Sequence, residues 1–182
     1  MIEILYPDMY VTSVYSVPYR RLRRRGIDTL FFDVDNTLVP HDVKRPTKRV
    51  AALFRRLTEM GFKICVVSNG RRGRVERFVS LLPPIAGYVY FAVKPLFYGV
   101  KKACRITAAS PRSIAIIGDQ VFTDVLAGRR AGFFSVLVRP VSERDELTTA
   151  LKRPVERIVI KKYRRSKRRR KNALIFDRYL RA

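Results

Sequence analysis

Residues 29 to 40, TLFFDVDNTLVP, place two carboxylates, Asp33 and Asp35, at the end of an apolar run. The run has the length and the composition of a strand that is buried on both faces, as in a parallel sheet. If the strand continues through them, residues 33 and 35 point the same way, and their like charges repel. A bound divalent cation removes that conflict, because carboxylate and carbonyl oxygens are the ligands that Mg²⁺ prefers. The stretch therefore predicts a parallel sheet with a cation site at its edge.

Further apolar runs of strand length alternate with segments of helical spacing. Strands are predicted over residues 29–34, 62–68, 87–93, 113–119 and 133–138. Between the first two strands, Val50, Leu53, Phe54 and Leu57 recur at the spacing of an amphipathic helix. Strands that alternate with helices in this way predict an α/β fold around a central parallel sheet.

Polar side chains stand at the ends of four predicted strands, namely Asp33 with Asp35, Ser68, Lys94, and Asp119 with Asp124. Because the carboxyl ends of parallel strands meet at one edge of a sheet, these residues are expected to converge. Asp33, Asp35 and Asp119 would supply oxygen ligands for Mg²⁺, and a phosphate ester suits such a site. One carboxylate would attack phosphorus and another would transfer the proton, while Ser68 and Lys94 would hold the phosphoryl oxygens.

Four motifs in this order resemble the haloacid dehalogenase (HAD) superfamily of aspartyl-phosphate phosphatases. They are D-x-D-x-T at Asp33-Val34-Asp35-Asn36-Thr37, Ser68 in VVSNG, Lys94 in AVKP, and GDQVFTD with Asp119 and Asp124. The resemblance implies a three-layer Rossmann-like fold, with Asp33 as the nucleophile and Asp35 as the general acid and base. It also implies that Asp33, the Asp35 carbonyl and Asp119 bind Mg²⁺. Asp124 would orient Lys94 or a metal-bound water, and Asn36, Thr37 and Asn69 would support the site.

Longer stretches resemble the YqeG family of subclass IIIA HAD phosphatases over nearly all of residues 7–158. These stretches include PDMYVTSVYSV, GDQVFTDVLAG and RPVSERDELTTALKRPVER. Gly70 and Arg129 stand where Asn is common in that family, and both are expected to flank the site. A more distant resemblance to the mitochondrial phosphatidylglycerophosphate phosphatases implies that phosphatidylglycerophosphate is the leading candidate if the substrate is a lipid.

The spacing of the motifs leaves no room for a cap domain. HAD enzymes that act on small molecules usually carry a lid inserted after the first or the second motif. Here residues 38–67 and 69–93 are each used up by one connection, one helix and one strand. We therefore expect a capless enzyme whose open site suits a macromolecule or a lipid headgroup, unless a partner subunit covers it.

The positive charge is concentrated near the C-terminus. The formal net charge is +24, and residues 152–182 carry half of it, with fourteen Lys/Arg against two acids. We expect a hydrolase domain over residues 1–150, with its core at 27–140, and a basic helix or tail over 151–182. The tail holds nine candidate contacts for RNA or an anionic membrane: Lys161, Lys162, Arg164, Arg165, Lys167, Arg168, Arg169, Arg170 and Lys171. RNA is slightly favoured, and a solvated extension is the simplest alternative.

A second phosphatase chemistry has a weaker signal in the sequence. Cys65 and Arg71 match the C-x5-R spacing of cysteine-dependent phosphatases. Val66 and Val67 continue the predicted strand, however, so the thiol is expected in the core with no base to ionise it. His41 is expected to be a loop residue near the cleft rather than a catalytic group.

Two cysteines in apolar surroundings, Cys65 and Cys104, predict reduced thiols and therefore a cytoplasmic protein, with peripheral membrane attachment left open. No apolar run approaches the roughly eighteen residues of a membrane span. The acids and the proline within residues 3–8 make the N-terminus a poor signal peptide.

Two hypotheses follow from these observations. The first is a Mg²⁺-dependent, capless phosphatase that works through an aspartyl-phosphate on Asp33. The second is a HAD-like scaffold that binds RNA or a ribosomal partner through its basic ends, with weak or lost catalysis. The complete set of motifs favours the enzyme.

Overall fold

Within residues 2–142, six parallel strands form one open sheet. The computed structural model of the chain describes residues 2–142 and 153–179, and in the last helix it describes the side chains of residues 154–167. The strands are β1 (Met9–Val11), β2 (Thr29–Phe32), β3 (Lys63–Val67), β4 (Gly87–Val89), β5 (Ile114–Gly118) and β6 (Phe134–Val138). They lie in the order β1-β6-β5-β2-β3-β4, so that the strand of the opening motif is central. The predicted parallel α/β sheet is confirmed.

Helices connect the strands and cover both faces of the sheet. They are α1 (Tyr19–Arg24), α2 (Lys48–Glu59), α3 (Arg72–Val79), α4 (Phe97–Thr107), α5 (Leu126–Ala131) and α6 (Arg153–Tyr179). A π-helical turn at Val121–Val125 leads into α5. The helix predicted from the spacing of apolar residues is α2, which buries its predicted face and is capped at its start by the Thr47 hydroxyl.

Alternate side chains of β2 enter two separate cores, which gives the fold its three layers. Leu30 and Phe32 pack with α1, α2 and α3, and the Phe32 ring lies 5.0 Å from that of Phe54. Phe31 points to the other face, where it packs with α4 and α5 and contacts the ring of Phe133. Side chains of a strand alternate between faces, so a strand of four consecutive buried residues needs a helical layer on each side.

Three strands differ from the prediction. β2 ends at Phe32 rather than at residue 34, so the strand does not continue through Asp33 and Asp35. The sequence did not indicate β1, because Met9–Val11 is short and only half-buried at the edge of the sheet. β4 ends at Val89 rather than at residue 93, because the chain turns out of the sheet and Phe91 and Val93 adopt left-handed backbone angles.

The connections are as short as the motif spacing predicted. Between β2 and β3 the chain forms only the loop that follows the first motif and α2, and between β3 and β4 it forms only α3. All residues from 33 to 86 are described, and they contain no inserted cap domain. The carboxyl edge of the sheet is therefore left open.

The basic C-terminal segment begins as a helix that packs on the core. Val159 is buried against Val121, Val125 and Leu137. The Tyr163 ring meets that of Tyr6 edge to face, which adds a second anchor about one helical turn further on. The proposed boundary between residues 150 and 151 lies outside the described residues and stays a prediction. Among the described residues, no helix is both long enough and apolar enough to cross a bilayer.

Candidate active site

Four of the predicted site residues converge at the carboxyl edge of the sheet. The Lys94 ammonium lies 2.8 Å from Oδ1 of Asp33 and 2.6 Å from Oδ1 of Asp124. Asp119 completes the group, and all four side chains are buried. A buried lysine between two carboxylates forms strong charge-assisted hydrogen bonds, so its position is fixed before any substrate arrives.

A tight turn after β2 brings Thr37 into the same group. Asn36 adopts a left-handed backbone angle, φ 56°, and its N–H donates to the Val39 carbonyl at 2.8 Å. Asparagine tolerates this conformation better than most residues, which explains its place in the motif. The Thr37 hydroxyl then lies 3.1 Å from Oδ2 of Asp33 and 3.2 Å from Oδ1 of Asp119. Thr37 therefore links the first and the fourth motif.

Burial and charge set the electrostatics of this cluster. Burial raises the pKa of Asp33 to about 7, with Lys94 opposing the shift and Asp124 adding to it. Burial alone would lower the pKa of Lys94, but the carboxylates of Asp124 and Asp33 outweigh it and raise the pKa above its ordinary value. Lys94 is therefore held as a cation, and three carboxyl groups face one ammonium.

The carboxyl groups can hold a metal ion. Asp33, Asp119 and Asp124 each offer one oxygen, and these oxygens lie within 4.8 Å of one another. A buried set of oxygen donors with excess negative charge suits a hard divalent cation such as Mg²⁺. Two of the predicted ligands, Asp33 and Asp119, thus lie together. Asp124, which was predicted to orient Lys94 or a metal-bound water, lies beside them.

The second acid of the first motif, Asp35, has different neighbours from Asp33. Nε of Arg74 donates to its Oδ1 at 2.9 Å, and a terminal nitrogen of the same guanidinium contacts the same oxygen and the Val43 carbonyl. His41 lies 3.7 Å from that oxygen, partly exposed in the loop as predicted. Sequence reasoning missed Arg74. Its position in the first turn of α3, directly after the second motif, was the available signal, because that turn starts at the carboxyl edge of the sheet.

Residues of the second motif, Ser68 and Asn69, bind Gly70 and the loop that carries Lys94. The Ser68 hydroxyl accepts from the Gly70 N–H at 2.9 Å. The Asn69 side chain binds the main chain of Lys94 on both sides, accepting from its N–H at 2.8 Å and donating to its carbonyl at 3.2 Å. A Cβ added at Gly70 would lie 3.0 Å from the Ser68 hydroxyl and 3.6 Å from Oδ2 of Asp35. Gly70 therefore does flank the site.

The fourth motif is packed with no room to spare. A Cβ added at Gly118 would lie 2.1 Å from the carboxyl carbon of Asp124, so the glycine lets that side chain fold back over β5. Oδ2 of Asp124 accepts from the Gln120 N–H at 3.2 Å, while its Oδ1 meets Lys94. The geometry thus holds Asp124 by main-chain contact on one oxygen and by the lysine on the other.

Glu156 of α6 supports the fourth motif from outside the catalytic segment. Its Oε1 accepts from the N–H groups of Val121 and Phe122, at 2.7 and 3.3 Å, and the residue is buried. The carboxylate thereby binds main-chain donors at the start of the turn that carries Asp124. Sequence reasoning missed this residue, although an acid among the fourteen basic residues of positions 152–182 was a signal.

Two other sequence observations have different outcomes. Cys65 is fully buried in β3, and burial raises the pKa of its thiol to about 12, so the cysteine-dependent alternative has no thiolate to use. Arg129 does not flank the site as expected. It pairs with Asp8 at 2.9 Å, and Asp8 binds Ser135 near the start of β6, at the opposite edge of the sheet.

The predicted basic contacts fall into two groups. Lys161, Lys162, Arg164, Arg165 and Lys167 are exposed on α6, whereas the side chains of Arg168, Arg169, Arg170 and Lys171 lie outside the described residues. Lys161, Arg164 and Arg165 line a groove of about 660 Å³ with Tyr10, Arg139, Arg157 and Ile160. The Arg164 guanidinium lies 5.2 Å from the centre of the Tyr10 ring. Five cationic side chains therefore share one groove beside β1.

Comparison with known proteins places this arrangement in a family. The model of the haloacid dehalogenase-like hydrolases matches residues 40–132. The chain is 33% identical over 163 residues to a protein named "Probable phosphatase YqeG" from Bacillus subtilis, covering 90% of this chain and 94% of that protein. It is 27% identical over 158 residues to the chloroplastic/mitochondrial phosphatidylglycerophosphate phosphatase 1 of Arabidopsis thaliana, covering 79% of this chain and 43% of that protein.

Solved structures show the same fold. The 3-deoxy-D-manno-octulosonate 8-phosphate phosphatase of Moraxella catarrhalis, solved with magnesium, phosphate and KDO, superposes with a TM-score of 0.54 at 16% identity, over 70% of this chain and 77% of that one. The Yersinia pestis enzyme of the same name gives a TM-score of 0.51 at 18% identity, over 64% of this chain and 66% of that one.

The chain belongs to the haloacid dehalogenase-like hydrolases. Within that family it is a phosphatase of the YqeG type, so the enzymatic hypothesis is confirmed at the level of the reaction class.

Proposed function

We propose that this enzyme is a Mg²⁺-dependent phosphatase that hydrolyses a phosphate monoester through an aspartyl-phosphate on Asp33. The observation that carries the proposal is the buried cluster in which Lys94 bridges Asp33 and Asp124 while Thr37 bridges Asp33 and Asp119. This cluster orients one carboxylate and leaves a hard-oxygen donor set beside it. A bound Mg²⁺, held by Asp33 and Asp119 with Asp124 or the Asp35 carbonyl, would neutralise phosphoryl charge.

In the first half-reaction, a carboxylate oxygen of Asp33 attacks phosphorus and the bond from phosphorus to the ester oxygen breaks. Asp35 gives its proton to the departing alkoxide. Lys94 and Ser68 hold the phosphoryl oxygens during the transfer. Arg74 binds Oδ1 of Asp35, so the proton is carried on the other oxygen.

In the second half-reaction, water attacks the phosphorus of the aspartyl-phosphate. Asp35, now ionised, takes a proton from that water, and the bond from phosphorus to the Asp33 oxygen breaks to release inorganic phosphate. The carboxylate of Asp33 is thereby regenerated. Asp124 keeps Lys94 in place throughout, since its Oδ1 lies 2.6 Å from the lysine ammonium.

The substrate that suits this site is large. The residues between the first motif and β4 leave the carboxyl edge uncovered, so an ester on a macromolecule or in a lipid headgroup can approach it. The similarity to the Arabidopsis phosphatidylglycerophosphate phosphatase supports a lipid phosphate of that kind.

The experiment that tests the proposal is a panel of phosphate esters, including an aryl phosphate and a lipid phosphate, assayed with and without Mg²⁺. Asp33→Asn should lower turnover by at least about 10³-fold, because the nucleophile is removed. Asp28→Asn is the matched control, since Asp28 lies at the other end of the same strand and its carboxylate accepts from the neighbouring Thr29 hydroxyl. No turnover by the native enzyme on any ester with Mg²⁺ would defeat the proposal.

A second candidate function is RNA binding, and the basic groove on α6 favours it. Its cations lie along one surface beside Tyr10, which supplies an aromatic face for a base. Replacing Lys161 and Arg165 with Ala should weaken RNA binding and flatten its salt dependence, whereas Arg55→Ala with Arg77→Ala removes the same charge from α2 and α3. Equal effects of the two pairs would assign the binding to net charge alone.

A further inference from the structure

The loop that presents Lys94 exposes a run of apolar side chains at the rim of the site. Phe91, Val93, Leu96, Phe97 and Tyr98 are each between 51 and 71% exposed, and together we name them the apolar rim. Apolar residues scattered singly over a surface need no explanation, but a contiguous exposed group marks an interaction surface. The group lies on both sides of a residue that the proposed reaction uses.

The backbone forces these side chains outward. Ala92 and Lys94 are buried, and the Ala92 N–H donates to the Ser68 carbonyl at 3.0 Å, which ties the loop to the site. Phe91 and Val93, on either side of Ala92 in the chain, adopt φ of 44° and 52°. This region is unfavourable for a β-branched residue such as valine, and strain of this kind persists where the surroundings impose it, often at functional sites.

Basic residues outnumber acidic ones around the apolar rim. Residues 77–118 contain six Lys/Arg and no Asp or Glu. Two cations lie beside Tyr90, next to the rim: Lys102 Nζ and the Arg72 guanidinium carbon are 5.5 and 5.6 Å from its ring centre. Arg72 is also paired with Glu76, whereas Lys102 adds positive charge to this surface. The surface therefore combines exposed apolar side chains with nearby basic residues, and it complements an anionic, partly apolar partner.

We propose that the apolar rim docks on an anionic lipid bilayer and holds the open catalytic edge against the membrane surface. Aromatic and aliphatic side chains enter the boundary between headgroups and acyl chains, while basic neighbours bind anionic headgroups. The inference rests on the proposed function, because docking would bring an ester at the bilayer surface to Asp33 in an enzyme that has no cap.

Two other occupants fit the observations less well. A second copy of the chain would bring together two molecules of formal charge +24, which repel each other. A single-stranded RNA would stack on aromatic rings, but Val93 and Leu96 present no flat face to a base. The rim is thus more apolar than RNA needs and too close to positive charge for self-association.

The test is co-sedimentation with vesicles of equimolar phosphatidylcholine and phosphatidylglycerol, compared with pure phosphatidylcholine. The double variant Leu96→Ser with Phe97→Ser should partition onto the anionic vesicles at least about tenfold more weakly than the native protein. The double variant Leu81→Ser with Ile158→Ser removes apolar side chains of similar exposure, 50 and 55%, from other surfaces and should bind as the native protein does. Phe97→Trp, which keeps the apolar area, should also bind.

Three results would overturn the proposal: no preference for anionic vesicles, equal weakening in both double variants, or an oligomer that the Leu96 and Phe97 substitutions dissociate. Circular dichroism melting is used to check that each variant is folded. Turnover of an aryl phosphate, which needs no vesicle, is measured separately. An inactive native protein that still binds vesicles would defeat the proposed function alone, and an active one that ignores vesicles would defeat this inference alone.

Discussion

Two buried acids, Asp124 and Glu156, contact the turn at Val121–Val125, and they bind different partners. Asp124 faces the site and pairs with the ammonium of Lys94 at 2.6 Å. Glu156 comes from α6 and accepts from two main-chain N–H groups at the start of the same turn. Asp124 is thus paired with a charged side chain and Glu156 accepts from peptide N–H groups, and both acids are almost completely buried.

The difference separates the reactive part of the molecule from its support. A lysine held between carboxylates is a fixed positive charge that a phosphoryl group can use. A carboxylate bound by peptide N–H groups at the start of a helical turn stabilises that turn and presents nothing to a substrate. We therefore expect changes at Lys94 to remove chemistry, and changes at Glu156 to remove stability.

The largest loss of stability and turnover is expected for Lys94→Met, which tests the role of the ion pair with Asp124. The substitution keeps the length of the side chain but leaves Asp33 and Asp124 buried without their counter-charge. Removing one partner of a buried ion pair lowers the free energy of unfolding by about 3–5 kcal/mol, and turnover should be lost as well. Urea unfolding measures the first and phosphate release the second.

The control is Lys48→Met at the exposed start of α2, which should change the free energy of unfolding by less than about 0.5 kcal/mol. Mg²⁺ provides a second check, because the uncompensated carboxylates of Lys94→Met should make stability depend more steeply on Mg²⁺ than in the native protein. A variant that stays active and stable would show that the ion pair is not the centre of the site.

A smaller effect, on stability alone, is expected for Glu156→Ala. Two buried N–H groups lose their acceptor, so the free energy of unfolding should fall by about 1–3 kcal/mol. Glu156→Gln retains an oxygen that accepts from both groups and should recover most of that loss. Differential scanning calorimetry compares them with Glu59→Ala, an exposed acid on α2.

The distinction between a catalytic Lys94 and a stabilising Glu156 would be wrong if Glu156→Ala lowered turnover per folded molecule as strongly as Lys94→Met does. That result would make α6 part of the catalytic machinery rather than its support. Unchanged stability would instead show that water replaces the carboxylate at the turn.

The parts of the molecule that sequence predicted are those set by local pattern. The apolar run before Asp33 and the spacing around Leu53 each reflect a face that one element buries, so they can be read without knowing the fold. The convergence of Asp33, Lys94 and Asp119 was also predictable, because parallel strands bring their carboxyl ends to one edge.

The parts that sequence missed depend on contacts between distant segments. Arg74 reaches Asp35 across 39 positions, and Glu156 reaches Val121 across 35. No local period marks either residue. β1 was not predicted for a related reason. An edge strand of three half-buried residues gains its conformation from pairing with β6 rather than from its own composition.

The smallest effect is expected at Gly70, which lies beside Ser68 and Asp35 in the site. In Gly70→Ala the new methyl would sit 3.0 Å from the Ser68 hydroxyl, so Ser68 must shift by a few tenths of an ångström. We expect turnover to fall by about three- to tenfold, because misplacing a group that positions phosphate costs rate without costing the fold. Gly73→Ala, two residues beyond Arg71 on α3, is the matched control, since nothing lies within 4 Å of its added Cβ. Its turnover should stay at the native level. Equal turnover in the two variants would show that the Ser68 hydroxyl does not position the phosphoryl group, and would leave that task to Lys94.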